Sequence, residues 1–404
     1  MMDRVFRRRT GFARLLIGAS VLVMGLSACS IGNSAEPSTP VAPLDSNPLT
    51  ELMKPKLTVN VKNGDIGISP SMPITVSVVD GMLGGVTLLT PENTPVGGAM
   101  APDGLSWRSV EPLGYNRQYR LHTEAFGLSG VTIDDAAFNT SVPDNLTKPY
   151  LMPGDGAVVG IGQPVAVQFD EPIGDKLAAQ NAITVVTDPP VEGAFYWISS
   201  KEVRWRPERF WVAGTKIDVN VKVYGLDLGG GTFGAEDAHM NFTIGDPVVL
   251  TADDNTLQVT VERNGVVERT MPTSMGKPGT ETDNGVYIVA ERHDLIIMDS
   301  STYGVPVNSA DGYRTPVNYA TRMSYSGIFM HSAPWSVGQQ GYSNASHGCL
   351  NLSPDNAIWV YNNVKRGDIV IVKNTGGGTL SGVDGLGDWN VPWPEWKAGN
   401  ANQS

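Results

Sequence analysis

A cysteine attacks a carbonyl carbon as its thiolate. It therefore needs a base within hydrogen-bond reach, a group that orients the base, and N–H donors where the oxyanion forms. The C-terminal third of this chain offers these residue types together. Cys349 sits in Ser346-His347-Gly348-Cys349-Leu350-Asn351, and His331 lies 18 residues upstream at the end of the apolar run Gly327-Ile328-Phe329-Met330, which places an imidazole at a strand edge. Gly348 permits a tight turn, so that the N–H groups of Gly348 and Cys349 can converge on one point, while Ser346 and Asn351 can stiffen the loop through side-chain hydrogen bonds. Two other readings compete with nucleophilic chemistry. A zinc site drawn from His331, His347, Cys349 and His293 is weakened by ligand count, because structural zinc sites usually take four ligands, commonly with cysteines in paired spacing. A buried, inert cysteine leaves the two nearby histidines without a reason.

The chain has 404 residues and two cysteines. The other, Cys29, closes Leu26-Ser27-Ala28-Cys29 behind Arg4, Arg7, Arg8, Arg9 and Arg14 and an apolar stretch from Leu15 to Leu26, the layout of a secretory signal too short to span a bilayer. This resembles the lipobox of bacterial lipoproteins, in which the cysteine becomes the lipidated first residue. The expectation is a signal peptide over 1–28, lipidation at Cys29 and a membrane anchor. The formal net charge is −12, and loss of the arginine-bearing leader makes the chain more acidic, which argues against nucleic acid as a partner. With Cys29 acylated, Cys349 has no disulfide partner; an exposed free thiol in an oxidising compartment is a liability unless it is used.

The elements that would position the cysteine are mostly strands. Residues 29–51 carry Pro37, Pro40, Pro43 and Pro48 among small polar residues and read as an extended tether. From 52 to 246 the chain is a series of alternating runs such as Ile74–Val79, Val165–Phe169 and Ile217–Val221. Trp107-Arg108 precedes Phe126-Gly127-Leu128 by 19 residues, and Trp205-Arg206 precedes Tyr224-Gly225-Leu226 by the same 19, an offset of 98 between repeats. That is the length of one immunoglobulin-like sandwich, so the reading is two tandem sandwiches, 52–146 and 147–246, with their aromatic residues in the cores and the pair acting as a stalk. A β-rich domain over 247–373 follows, with a hairpin at Asn264-Gly265 and a helix from Ser353 as N-cap to Gly367 as stop. The tail, 374–404, carries Trp389, Trp393 and Trp396, expected to pack it on that domain, with Pro392 and Pro394 arguing against a regular helix. The fold class is mainly β.

His331, the 18-residue gap and Ser346-His347-Gly348-Cys349-Leu350-Asn351 resemble the active-site signature of the YkuD-type L,D-transpeptidases, and the whole chain looks like the larger mycobacterial members with two immunoglobulin-like domains before the catalytic one. By that resemblance Cys349 is the nucleophile, His331 its base, and Ser332 the residue whose backbone carbonyl orients the imidazole. His347 and Gly348 shape the loop. The N–H groups of Gly348 and Cys349 with the Tyr313 hydroxyl form the oxyanion site, while Met298, Tyr303 and Trp335 border the substrate channel. The family decides between His331 and His347, with weak physical support: a residue two positions from the cysteine in a tight turn is poorly placed to reach its sulfur. The implied function is a peptidoglycan L,D-transpeptidase, lipid-anchored on the outer face of the plasma membrane. It would take a donor tetrapeptide stem and an acceptor diaminopimelate amine, release D-alanine, suffer acylation by carbapenems, and need no metal or organic cofactor. An L,D-carboxypeptidase using water, or a non-catalytic wall-binding lipoprotein, are the alternatives.

Overall fold

The structure is a computed structural model that describes residues 53–309 and 312–402. The expected leader, Cys29 and the tether up to Glu51 lie outside the described residues.

Alternation of burial along Thr75–Val79 and Gln118–Gly127 shows why the first region folds as two sheets with one wet face each. Strands Lys56–Val59, Thr75–Val79, Ser106–Ser109 and Gly98–Met100 make one sheet, and Met82–Leu89, Gln118–Gly127 and Gly130–Asn139 the other. Val76, Trp107, Leu121 and Phe138 fill the space between them. The second sandwich has two four-stranded sheets. One orders Ala157–Val159, Ala238–Ile244, Lys216–Val221 and Ile183–Asp188; the other orders Gly193–Trp197, Glu202–Pro207, Val165–Phe169 and Pro149–Met152. The repeated tryptophans do the same job in both halves. Each indole lies over a glycine of the adjacent strand, and a Cβ would meet Trp107 Cζ2 at 2.0 Å on Gly98 and Trp205 Cζ2 at 2.1 Å on Gly193. The second half of the repeat diverges. Phe126 is 49% exposed, contrary to its expected core position, because its strand ends in the solvent-facing hairpin before Gly130. Tyr224 instead reaches the first sandwich, its hydroxyl donating to the Leu113 carbonyl at 2.6 Å.

The third region opens with the expected hairpin. Asn264 and Gly265 both have positive φ, 53° and 75°, the pairing a two-residue type I′ turn requires. Its five-stranded sheet runs Val266–Pro272, Gln258–Arg263, Val248–Asp253, Ile369–Lys373, Gly285–Ile288, and a four-stranded sheet runs Arg292–Asp299, Arg314–Arg322, Phe329–Ser332, Leu350–Leu352. The helix spans Pro354–Asn363 and buries Ala357 and Val360; Ser353 caps it as expected. It stops before Gly367 because Val364 is already extended, and the following turn is drawn against the second sandwich, where the Gly160 and Gly162 N–H groups donate to the Arg366 and Gly367 carbonyls, each at 2.8 Å.

That contact corrects the stalk expectation for the second sandwich. Ile288, Ala290, Ile369 and Leu386 belong to the same continuous apolar core as Val167, Trp205 and Ile244, so the second sandwich and the third region share an interior. The tail is also corrected. Its indoles lie on the second sandwich: Trp389 Nε1 donates to the Gly162 carbonyl and Trp396 Nε1 to the Ala194 carbonyl, both at 2.8 Å. Arg206, 1% exposed, lies over the rings of Trp396, Trp389 and Trp393 at 4.2, 4.6 and 5.7 Å. Asn390 ties the tail to the third region by bonds to the N–H and carbonyl of Val286. Residues Trp393–Ala398 form a short helix despite the prolines, since Pro392 is its N-cap and Pro394 falls in the first turn, where no N–H is needed.

Candidate active site

The strand Phe329–Ser332 carries His331, and Leu350–Leu352 follows directly on Cys349; the two strands pair in parallel with His331 opposite Asn351. Side chains alternate faces with a period of two, so Cys349 falls on the face of Asn351, diagonal to the imidazole. A cavity of about 200 Å³ opens on that face, lined by Met298, Tyr313, Thr315, Val317, His331, Trp335, Ala345, Ser346, His347, Cys349 and Asn351.

His331 is 4% exposed and its Nδ1 stands 3.0 Å from the Ser332 carbonyl oxygen. A carbonyl only accepts, so Nδ1 carries the proton and Nε2 of the neutral ring keeps its lone pair. Burial pushes the His331 pKa down, opposed by that bond, so the ring rests neutral. Burial likewise pushes the Cys349 thiol up to about 11, against the smaller opposite pulls of the Phe329 backbone and the Arg322 charge. The site therefore rests with an uncharged thiol and an uncharged imidazole lining one cavity. Neither charge is favoured alone in so buried a place.

The loop that presents Cys349 is held from both sides. Ser346 Oγ accepts the Gly348 N–H at 3.1 Å and donates to the Cys349 carbonyl at 2.6 Å. This departs from the expected oxyanion site, in which the Gly348 N–H faced the cavity: the short Ser346 side chain, two residues away, captures that N–H first. Gly348 has φ +118°, and a Cβ there would meet Ile328 Cδ1 at 2.9 Å, so the position requires glycine. Asn351 Nδ2 donates to Ser336 Oγ at 3.1 Å. Tyr313 and His347 rings face each other at 5.2 Å, and Trp335, 57% exposed, stands 6.1 Å from the His331 ring.

Of the residues singled out in the sequence, Met298, Tyr313, His331, Trp335, Ser346, His347, Cys349 and Asn351 share the cavity, with Ser332 and Gly348 supporting it from behind. Tyr303 ends a 3-10 turn over Ser300–Tyr303, and its side chain lies outside what is described. His293 is not among the lining residues; it packs against Phe329 at 6.5 Å. Sequence reasoning missed Thr315, Val317 and Ala345 in the lining and the whole segment that buttresses the loop. There Thr282, fully buried, accepts the Gly276 N–H and donates to the Gly348 carbonyl at 2.7 Å, while the Lys277 N–H donates to the Ser346 carbonyl. A threonine some 67 positions upstream carries no local signal for such a role.

Residues 247–372 match the L,D-transpeptidase catalytic domain family, and residues 65–227 match the bacterial Ig domain family. The chain is 55% identical over 394 residues to L,D-transpeptidase 2 of Mycobacterium tuberculosis (strain CDC 1551 / Oshkosh), covering 98% of this chain and 96% of that one. It is 36% identical over 353 residues to L,D-transpeptidase 5 of M. tuberculosis (strain H37Rv), covering 85% and 76%. Among solved structures, L,D-transpeptidase LdtMt1 in complex with imipenem superposes with a TM-score of 0.50 at 41% identity, over 55% of this chain and 97% of that chain. With likeness running through the Ig-like region and the cysteine-bearing domain alike, the chain belongs to the L,D-transpeptidase family of acyl-transferring enzymes.

Proposed function

We propose that this transpeptidase cross-links peptidoglycan stem peptides through a thioester on Cys349. The observation that carries the reading is the lone pair left on His331 Nε2 by the Nδ1–H bond to Ser332, in a cavity that Cys349 also lines. Cys349 Sγ bonds to the carbonyl carbon of diaminopimelate as its proton passes to His331 Nε2. The bond to the terminal D-alanine then breaks, the departing amine taking that proton. The side-chain amine of a diaminopimelate on a second stem attacks the thioester and gives a proton to His331; the C–S bond then breaks and the departing Cys349 sulfur takes that proton, restoring thiol and neutral imidazole. The Cys349 N–H and the Tyr313 hydroxyl are the donors proposed for the oxyanion, His347 stacks on Tyr313 to hold it, and Met298, Tyr303 and Trp335 border the substrate channel. The chain is further proposed to be held on the outer face of the plasma membrane by a lipid on Cys29. Metabolic labelling with a fatty-acid analogue checks this, and label surviving in Cys29→Ser would overturn it.

Incubation with purified muropeptides tests the reaction: dimers with released D-alanine are expected, tripeptides without dimers would make the enzyme a carboxypeptidase, and no reaction would leave a wall-binding protein. Intact mass after exposure to a carbapenem should rise by one drug molecule, and an adduct on Cys349→Ala would sink the nucleophile assignment. His331→Ala should slow acylation by ~10²-fold or more; the same loss in His347→Ala, with none in His331→Ala, would reverse the roles.

A further inference from the structure

The Cys349 thiol has a backbone partner. Its Sγ lies 3.6 Å from the carbonyl oxygen of Gly327, in donor geometry for sulfur. Gly327 lies in the hairpin that joins Arg314–Arg322 to Phe329–Ser332. The base of this hairpin is closed by its own bonds, the Met323 and Ser324 N–H groups donating to the Ile328 carbonyl at 2.9 and 3.2 Å and Ser324 Oγ accepting the Ile328 N–H at 2.8 Å, whereas the Gly327 N–H reaches the Ser324 carbonyl at 3.4 Å. The backbone N–H groups at its tip are held from the tail. Asp384 presents both carboxylate oxygens to successive backbone donors, Oδ1 accepting the Tyr325 N–H at 2.9 Å and Oδ2 the Ser326 N–H at 2.8 Å. A carboxylate across two adjacent N–H groups is a charge-assisted, bidentate clamp. The next residue is anchored as well, since the Gly385 carbonyl accepts from buried Arg204 of the second sandwich at 3.0 Å, and a Cβ on Gly385 would meet the Tyr325 ring at 2.6 Å.

We infer that Asp384 is a positioning residue for the nucleophile: by clamping the Tyr325–Ser326 amides it holds the Gly327 carbonyl against the Cys349 thiol and so sets where the sulfur points. This rests on the reading of Cys349 as nucleophile. The acceptor serves the protonated sulfur, so it aims the thiol at rest and releases it when the proton leaves for His331. The other titratable and charged groups about the sulfur are His331, His347 and Tyr313 around the cavity and Arg322 behind Phe329, paired with Glu291.

The test is Asp384→Ala in the full chain, with three readouts. Hydrogen exchange should show the Tyr325 and Ser326 amides losing protection. Acylation of Cys349 by a carbapenem should slow about tenfold, because misplacing the sulfur hurts a geometrically demanding attack. Alkylation of Cys349 by iodoacetamide, followed by peptide mass, should shift its pH midpoint downward, because an acceptor that favours the neutral thiol has been loosened. A general loss of stability would lower both rates without moving the midpoint. Unchanged amide protection, or lost protection with an unmoved midpoint and an acylation rate within about twofold of the parent, overturns the inference. If Asp384→Ala does not fold, Asp384→Asn, which keeps one oxygen for one of the two amides, is read by the same criteria. The nucleophile reading fails separately, through an adduct on Cys349→Ala, and leaves the exchange result standing.

Discussion

Two copies of one sandwich pattern, 98 residues apart, have been put to different use. The first closes its core on itself, every buried member lying between Val61 and Phe138. It meets the second through hydrogen bonds and one aromatic cluster: Tyr115 Oη donates to the Gly234 carbonyl at 2.7 Å and accepts the Gly225 N–H at 2.8 Å, Ser69 Oγ donates to the Gly225 carbonyl at 2.7 Å, and the Tyr115 ring meets the edges of Tyr224 and Phe233 at 5.4 and 5.9 Å. The second leaves one end of its core open and closes it with Ile288, Ala290 and Ile369 of the catalytic domain and Leu386 of the tail. The difference teaches that a repeat unit becomes part of an enzyme when its buried core is completed by another domain; a seam that leaves the two cores separate only sets distance. The stalk description suits the first sandwich alone.

The comparison breaks most sharply under truncation. A chain beginning at Asp144, which keeps Asn145–Thr147 paired with Thr232–Gly234 and the whole strand Pro149–Met152, should melt cooperatively and acylate with a carbapenem at a rate within about threefold of the parent. One beginning at Val248 bares the shared core and should fail to give a cooperative melt by circular dichroism; if both behave alike, the distinction between the sandwiches is void. Next in size is Arg206→Ala, which takes a buried cation from between three indoles and should cost ~2–4 kcal/mol by denaturant titration. Tyr115→Phe, at the seam between the sandwiches, should cost only ~1 kcal/mol.

A pH dependence sharpens the same contrast. Asp368 lies where the Gly160 backbone presses on the catalytic domain, and burial raises its pKa to about 7. The folded state then holds a proton that the unfolded chain gives up near its ordinary value of 3.8, so stability declines as pH rises from about 4 to 7 and is level above. Asp368→Asn should flatten that slope in denaturant melts taken across this window, and a slope of parental size would show that the interface does not carry it. The smallest effect belongs to Leu128, 92% exposed on the first sandwich. Leu128→Ser should leave stability within ~0.5 kcal/mol and acylation unchanged.

The strands and the Asn264-Gly265 turn were legible because alternation and turn chemistry are local, and the helix start at Ser353 was legible for the same reason. Its end was not. The chain leaves the helix at Val364, and Arg366 and Gly367 just beyond meet a neighbour more than two hundred positions away, which no local propensity carries. The residues of contiguous motifs do meet at one cavity, whereas Thr282 and Asp384 reach the Cys349 loop and its backing hairpin across long sequence distances through backbone groups, which any residue type supplies. The Gly348 N–H was misassigned because a tight turn offers its donors to the cavity and to Ser346 alike, and the serine rotamer, set by its bond to the Cys349 carbonyl, decides which acceptor takes it.

Parallel pairing of Phe329–Ser332 with Leu350–Leu352 has one more effect. Two parallel neighbours cannot be joined by a tight reversal; the connection must travel back the length of a strand before the second can start. Residues 333–349 are that return path, and on the way they supply Trp335, Ala345, Ser346 and His347 to the cavity wall. The vault over His331 and Cys349 is thus a by-product of strand direction. Its middle can be lengthened or recoloured during divergence while the ladder fixes His331 at one end of the path and the residue after Cys349 at the other, so the lining of the cavity can drift with that pair kept in register.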